Sequence, residues 1–311
     1  MTGDTTRGGA GPSMSAAHDT LPGFAHEIRT VEIGGHAMAY VDEGAGPPVL
    51  HVHGNPTWSF HFRSLLATLP GDGFRAIAPD HIGMGRSDKP ARADYPHTLP
   101  RRVADLTAFV EALDLDEPLA LVVHDWGGPI GLSWAVEHPD RVDRVVVLNT
   151  GAFPLPSGKR IPWSLQAARL PVVGDVAVRR FNAFSLGALV MGTGRPWLDA
   201  EARRGLLAPY DTPAHRVAVH AFVQDIPTGP ADPAHPVLER LAERLPLLDA
   251  RPVQVHWGMR DPVFDGEILE HLVGYLPRAE VHRYPDAGHY VLEDAADRIV
   301  PRVRAFLSDG R

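Results

Sequence analysis

An aspartate occupies the turn at which a catalytic nucleophile would be presented. Asp125 follows the apolar run Leu119–His124 and precedes Gly127 and Gly128, which places it at a sharp turn between a predicted strand and a predicted helix. A serine at such a turn would indicate acyl transfer and would need a histidine to take its proton. A free carboxylate titrates near ~3.9, so Asp125 is ionised at neutral pH and can attack carbon without a base. A histidine is needed only if water later cleaves the enzyme ester.

Two further residues complete a possible catalytic triad. Asp261, in Trp257–Pro262, and His289, in Asp286–Tyr290, each follow a predicted strand directly. Asp261 could hold the His289 ring while the other ring nitrogen activates water. Taken alone, each aspartate is typical of a turn or cap and the histidine of a structural residue. Their joint order along the chain, nucleophile, acid and then histidine, favours catalysis.

Two neutral donors accompany the proposed nucleophile. Asn55 follows the predicted strand Val49–Val52, and its side-chain amide can donate a hydrogen bond to a halide or an oxyanion. Trp126 adds an indole N–H beside Asp125. The plainer alternatives are that Asn55 makes a turn with Pro56 and that Trp126 packs in the core.

Composition excludes several classes of protein. The chain has 311 residues, 44% of them hydrophobic, a net charge of −8 and no cysteine. Nucleic acid and acidic membrane surfaces are poor partner candidates because the sequence has no basic tract. Disulfides, thiolate metal sites and a cysteine nucleophile are excluded. No apolar run of about 18 residues occurs, so we expect a protein of the cytoplasm without a membrane span.

No cofactor or metal is predicted. The chain has neither a Walker loop nor a G-x-G-x-x-G motif in a dinucleotide-binding context. His51 and His53 alternate along a predicted strand and could point the same way, but no third ligand follows at a familiar spacing, which favours structural roles. The expected ligand is an apolar small molecule.

Short β-branched runs alternate with helical patterns, such as those over Leu99–Leu113 and Gly128–His138, and predict a mostly parallel sheet flanked by helices. The strands are predicted at Ala37–Val41, Val49–Val52, Ala76–Ala78, Leu119–His124, Val145–Leu148, Val253–Trp257 and Val281–Tyr284.

The domain organisation follows from where this alternation stops. Residues 1–22 are expected to form a disordered tail, because they are rich in small and polar residues. Residues 23–152 and 250–311 form an α/β core. Residues 153–249 contain short helical patterns, including Ala202–Leu207 and Val217–Val223, and no convincing strand. They are predicted to form a helical cap over the carboxyl ends of the strands, where open α/β folds bind ligands.

These residues resemble the haloalkane dehalogenase-like family of the α/β-hydrolase fold, in the branch with an Asp-His-Asp triad and an Asn-Trp pair. The acid position supports that branch, because the alternative position after Val145–Leu148 is Asn149. The sequence motifs are closer still to those of the cis-β-lactone decarboxylases of bacterial long-chain olefin synthesis. The matching stretches are His53–Phe60, Pro79–Pro90, Val122–Gly128, Phe181–Phe184, Ala208–Asp211, Phe222–Pro227, Trp257–Asp261 and Ala287–Asp294.

Two neighbouring families fit less well. Epoxide hydrolases polarise their substrate with two cap tyrosines, whereas residues 153–249 contain only Tyr210. Fluoroacetate dehalogenases have an arginine after the nucleophile, where this chain has Trp126.

The resemblance implies one of two reactions. As a decarboxylase, the protein would convert a cis-3,4-dialkyl β-lactone to a cis-alkene and carbon dioxide, and could assemble with the enzyme that makes the lactone. As a dehalogenase, it would displace halide from an sp³ carbon and hydrolyse the resulting ester. A non-catalytic ligand-binding role is the third alternative, and retention of biological effect by Asp125→Ala would favour it.

Overall fold

The computed structural model describes residues 21–196 and 198–310. The tail predicted for residues 1–22 lies outside these ranges except for its last two residues. Leu21 is buried in the hydrophobic core, and its carbonyl accepts a hydrogen bond of 3.0 Å from the Phe24 N–H. Leu21 therefore packs with the folded part of the chain.

Eight strands form one sheet in the order β1-β2-β4-β3-β5-β6-β7-β8. β1 pairs antiparallel with β2 and β2 antiparallel with β4, while all remaining pairs are parallel. The strands are β1 (Ile28–Ile33), β2 (His36–Glu43), β3 (Pro48–Val52), β4 (Arg75–Pro79), β5 (Leu119–His124), β6 (Val142–Leu148), β7 (Val253–Gly258) and β8 (Glu280–Tyr284).

Seven of these strands confirm the predictions, although several are longer than predicted. The eighth, β1, was missed. Its residues Arg29, Thr30 and Glu32 are exposed, because β1 lies at the edge of the sheet. These exposed polar residues interrupt the apolar residues of β1, so the apolar run that reveals buried strands is absent from its sequence.

Helices flank the sheet and continue through the segment between β6 and β7. They are α1 (Arg63–Leu66), α2 (Leu99–Ala112), α3 (Gly127–Glu137), α4 (Trp163–Arg169), α5 (Val173–Asp175), α6 (Ala183–Met191), α7 (Ala200–Leu207), α8 (Val217–Gln224), α9 (His235–Arg244), α10 (Gly266–Tyr275), α11 (Val291–Asp294) and α12 (Ala296–Ser308).

The parallel strands bring the candidate catalytic residues to one edge of the sheet. β3, β5 and β7 are buried at every residue, as expected of strands covered on both faces. Asn55 follows β3, Asp125 follows β5, Asp261 follows β7 and His289 follows β8. Because parallel strands share one carboxyl edge, these loops converge although their residues are far apart in sequence.

Helices α4 to α9 and a short π-helical segment, Val176–Arg180, occupy the predicted cap, and no strand occurs in its described ranges 153–196 and 198–249. Its last helix, α9, packs against α3 of the core. The predicted cap, residues 153–249, thus includes one helix that packs against the core. None of the helices in the described part of the chain has the length and apolar character needed to cross a bilayer.

Candidate active site

Asp125 lies at a strained turn between β5 and α3. Its φ is +52°, in the left-handed region that costs a non-glycine residue about 1–3 kcal/mol. The turn is held by the Asp125 N–H, which donates to the Asn149 carbonyl at 3.0 Å, and by the Gly128 N–H, which donates to the Asp125 carbonyl at 2.9 Å. The Thr150 hydroxyl donates to the same carbonyl. These bonds keep the Asp125 carboxylate at the carboxyl edge of the sheet.

The glycines around the turn are required by close contacts. A Cβ on Gly127 would lie 1.8 Å from the Val52 carbonyl oxygen, and one on Gly128 would lie 1.9 Å from the Thr150 Oγ1. A Cβ on Gly54 would lie 2.1 Å from the Asp125 carboxylate. Only glycine allows β3, β5 and the start of α3 to approach this closely.

The three residues predicted to form a triad come together. The Nδ1–H of His289 donates to Oδ2 of Asp261 at 2.8 Å, and Nε2 of His289 lies 3.4 Å from Oδ2 of Asp125. Oδ1 of Asp261 accepts hydrogen bonds from the backbone N–H groups of Val263, at 2.8 Å, and Phe264, at 3.0 Å. Backbone donors thus hold one oxygen of Asp261, while its other oxygen orients the His289 ring that faces Asp125.

Asn149 also belongs to this network. From the sequence it was noted only because it occupies the alternative position for the acid of the triad. Its side-chain amide donates to Oδ2 of Asp261 at 3.0 Å and to the Gly258 carbonyl at 3.1 Å, while its Oδ1 accepts from the Gly258 N–H at 2.7 Å. The amide therefore ties the end of β6 to the acid loop after β7. Its position at the same sheet edge as the triad was the signal available in the sequence.

The electrostatics favour the ionised forms of His289 and Asp261. Burial by itself lowers the pKa of His289, but the charges of Asp261 and Asp125 and the hydrogen bonds to them outweigh burial and raise that pKa to about 10. Burial raises the pKa of Asp261, but the positive charge of His289 and the hydrogen bonds from His289, Val263 and Phe264 lower it overall. Near neutral pH the raised pKa of His289 keeps its ring protonated beside Asp261.

Asn55 contacts Asp125 through its backbone. Its N–H donates to Oδ1 of Asp125 at 2.7 Å, whereas its side-chain amide donates one hydrogen bond to the Val219 carbonyl of α8 at 3.2 Å. Since a primary amide has two N–H donors, one remains for a ligand. The half-buried Trp126 also lines the pocket, and its ring lies 5.5 Å from that of Phe222.

Helix α8 supports these donors and is braced by a buried ion pair. Nη1 of Arg102 donates to Oδ2 of Asp225 at 3.2 Å, and the guanidinium lies 3.5 Å from the centre of the Phe222 ring. The Leu99 N–H donates to the same Asp225 oxygen at 2.5 Å. The cap is thereby attached to α2 of the core, close to the ring of Phe222 that contacts Trp126.

A pocket of about 400 Å³ opens onto Asp125, Asn55, Trp126 and His289, a size suited to a small-molecule site. Most of the remaining lining is apolar and comes from the cap and from loops at the sheet edge. It includes Pro129, Phe153, Leu155, Ile161, Trp163, Leu165, Val173, Val178, Phe184, Met191, Val223, Ile226, Leu238, Val263, Phe264 and Ile268.

His51, in β3, and His53, directly after β3, form hydrogen bonds with the backbone. His51 Nδ1 lies 3.1 Å from the Ile77 carbonyl, and His53 Nδ1 donates to the Gly54 carbonyl at 2.8 Å while its Nε2 accepts from the His81 N–H at 3.0 Å. Among the described residues, no three His, Asp or Glu side chains are arranged to hold a metal ion.

A family model of the α/β hydrolase fold matches residues 47–296, which is most of the chain. The chain belongs to the α/β-hydrolase fold family. Among relatives of this hydrolase, the cis-3-alkyl-4-alkyloxetan-2-one decarboxylase of Xanthomonas campestris pv. campestris is 45% identical over 93% of this chain and 98% of its own length. The decarboxylase of the same name from Shewanella oneidensis is 42% identical over 88% and 86% of the two chains.

Haloalkane dehalogenases form a second group of relatives. That of Mycolicibacterium paratuberculosis is 36% identical over 86% of this hydrolase and 87% of its own length. The crystal structure of haloalkane dehalogenase DatA from Agrobacterium tumefaciens C58 has a TM-score of 0.81 at 28% identity, covering 90% of this chain and 96% of the other. The fold and the family resemblance expected from the sequence are confirmed.

Proposed function

We propose that this hydrolase is a decarboxylase of cis-3,4-dialkyl β-lactones, with Asp125 as nucleophile. The observation that carries the proposal is the 45% and 42% identity to two decarboxylases of cis-3-alkyl-4-alkyloxetan-2-ones over most of each chain. The largely apolar lining of the pocket suits two alkyl substituents, and Asp125, Asn55, Trp126 and His289 supply the polar groups that a small strained ring would meet.

In the first step, a carboxylate oxygen of Asp125 attacks C4, the sp³ carbon that carries the ring oxygen. The C4–O bond breaks, and its electron pair leaves on the lactone carboxylate. Asn55 and Trp126 donate hydrogen bonds to that developing charge, as they would to a departing halide. The product of this step is an ester between Asp125 and C4, with a free carboxylate on C3.

In the second step, the C3–carboxylate bond breaks and carbon dioxide leaves. Its electron pair forms the C3=C4 double bond and expels the Asp125 carboxylate, which restores the enzyme. Displacement inverts C4, so the two leaving groups lie anti to each other and the alkyl groups stay on one side. A cis-lactone therefore yields a cis-alkene, with no water and no external electron carrier.

His289 has a different task in this scheme from the one it has in ester hydrolysis. As an imidazolium beside Asp125, it stabilises the carboxylate that leaves in the second step, and Asp261 with Asn149 keeps its ring in place. Hydrolysis of an alkyl ester would instead require neutral His289 to take a proton from water.

Haloalkane dehalogenation is the alternative, because relatives at 36% identity carry that name and the site has the same nucleophile and donors. The two reactions differ in whether water attacks the ester. Single turnover in ¹⁸O-labelled water would put label into Asp125 during dehalogenation and leave it unlabelled during decarboxylation.

The deciding experiment supplies a cis-dialkyl β-lactone and a 1-bromoalkane separately, and measures alkene and bromide. We expect fast alkene release that Asp125→Asn abolishes. His289→Gln should still release alkene, more slowly, but should accumulate alkyl-enzyme with bromoalkane. Asp199→Asn, which removes a helix-capping carboxylate elsewhere in the cap, is the matched control. Fast bromide release with an untouched lactone would make the protein a dehalogenase.

We further propose that the hydrolase acts in the cytoplasm in olefin synthesis and assembles with the enzyme that forms the β-lactone. The support is the resemblance of the sequence motifs to the cis-β-lactone decarboxylases of bacterial long-chain olefin synthesis. Co-purification of the two native proteins tests the assembly, and recovery of a fully active protein without the other enzyme would count against it.

A further inference from the structure

Exposed apolar side chains are concentrated on one part of the cap. Eleven large apolar residues are exposed among the described ones, and ten of them lie between residues 155 and 191. Trp163 is 80% exposed, Val172 75% and Phe181 68%. We call this set the cap patch: Leu155, Trp163, Leu170, Val172, Val173, Val176, Phe181, Leu186, Val190 and Met191. A concentration of this kind marks an interaction surface, since isolated exposed apolar residues are ordinarily scattered.

The cap patch is continuous with the substrate pocket. Leu155, Trp163, Val173 and Met191 belong to the patch and also line the pocket. Helix α5 packs against α4 and against the π-helical segment, which in turn packs against α6, so the elements that carry the patch form one unit. The cap patch and the pocket lining therefore share apolar side chains, and Arg160 lies beside them in the lining.

The charge of this segment is opposite to that of the whole chain. Residues 151–196 contain six Lys and Arg residues and one acidic residue, Asp175, although the chain carries a net charge of −8. Asp175 is already paired with Arg179 at 2.9 Å. Arg160 and Arg180 are exposed and form no ion pair with any described residue. They lie close in sequence to Trp163 and Phe181.

We propose that the cap patch docks on an anionic lipid surface, so that the pocket mouth faces the acyl layer. Aromatic side chains with adjacent arginines are the groups that occupy a lipid–water interface, where the ring is buried and the cation meets the headgroups. The net negative charge of the rest of the chain orients the protein with the cap toward the anionic surface.

This proposal differs from the expectation that acidic membrane surfaces are poor partners, which stays a prediction until the test below. That expectation rested on the absence of a basic tract, whereas here the positive charge arises from a scarcity of acidic residues over a segment of the cap. It concerns the surface alone and holds whichever substrate the pocket takes.

The test is co-sedimentation of the full chain with vesicles of phosphatidylcholine, or of equal parts phosphatidylcholine and phosphatidylglycerol. We expect stronger binding to the anionic vesicles, weakened by salt. Arg160→Gln with Arg180→Gln should lower the anionic partition coefficient roughly 30-fold, at roughly fivefold per charge. Trp163→Ser with Phe181→Ser should weaken binding to both kinds of vesicle.

Matched controls remove similar groups elsewhere. Leu247→Ser removes the exposed apolar residue outside the patch, and Arg141→Gln with Arg302→Gln removes two exposed charges from the core. Both controls should bind like the wild type, and circular dichroism checks that every variant is folded.

Absence of wild-type binding to anionic vesicles would overturn the proposal, as would an equal loss of binding in the controls. Sedimentation velocity tests whether a second copy of the chain covers the patch instead. If the wild type does not bind vesicles, and Trp163→Ser with Phe181→Ser dissociates an oligomer, a second copy covers the patch and the proposal is wrong.

Discussion

Asn149 offers the most direct test of how the site is held together. In Asn149→Ala, Asp261 loses a hydrogen bond to a charged acceptor, which contributes about 1.5–3 kcal/mol, and the Gly258 backbone loses two neutral ones of about 1 kcal/mol each. These bonds share one side chain and are not additive. We expect the free energy of unfolding to fall by about 3 kcal/mol in urea titrations.

The same substitution should lower activity. Oδ1 of Asp261 keeps its two backbone donors, but Oδ2, the oxygen that holds His289, loses the Asn149 amide. Loss of such a supporting bond typically costs about 10–100-fold. We therefore expect kcat with the β-lactone to fall within that range and KM to change little, because Asn149 does not line the pocket.

Gln254→Ala is the matched control. Gln254 is also a buried amide with two side-chain partners, Glu280 and His256, but it lies at the other end of β7. It should lose stability and retain kcat. The reasoning is refuted if Asn149→Ala keeps wild-type kcat within twofold, or if Gln254→Ala loses as much activity.

Moving the carboxylate from position 261 to position 149 extends this test. Asp261→Asn should lower kcat strongly, because the ring of His289 loses its orienting carboxylate. Adding Asn149→Asp places a carboxylate where the Asn149 amide lies, 3.0 Å from the missing oxygen, and should restore part of the lost kcat. Equal activity of the single and double variants would contradict the proposed role of this position.

Three further predictions concern charge and packing. The pKa of His289 is raised from 6.5 to about 10, so its contribution to stability is complete below pH about 6.5 and is lost as the pH rises to about 10; urea titrations of the wild type should show this decline and His289→Gln should not. Arg102→Met should cost about 3–5 kcal/mol, because Asp225 stays buried without its partner, and adding Asp225→Asn should recover part of that loss in the same titrations. Gly128→Ala should prevent folding or abolish activity through its contact with Thr150, whereas Gly274→Ala, which meets nothing within 4 Å, should be neutral or stabilising by thermal unfolding.

The buried strands and the core helices could be predicted from the sequence. β5 has the boundaries that its apolar run predicts, and α2 and α3 agree with their predicted helices to within one residue at each end. Buried parallel strands are apolar on both faces, so their pattern is local and strong. β1 escaped detection because three of its six residues are exposed and polar, so it carries no apolar run.

The sequence by itself determined which candidate side chains would lie together. Asp125, Asp261 and His289 each follow a strand, and a shared carboxyl edge is enough to bring them within reach of one another. Such convergence follows from strand direction alone, so it does not depend on the details of side-chain packing.

The tertiary structure decided how these groups are held and charged. It directs the Asn55 backbone N–H, rather than only its side chain, at Asp125, and it joins Asn149 to Asp261 across 112 residues of sequence. It also raises the pKa of His289 and leaves the cap patch exposed. Each of these properties depends on distances between separate loops and on burial, which arise only when the strands are in register and the cap has packed.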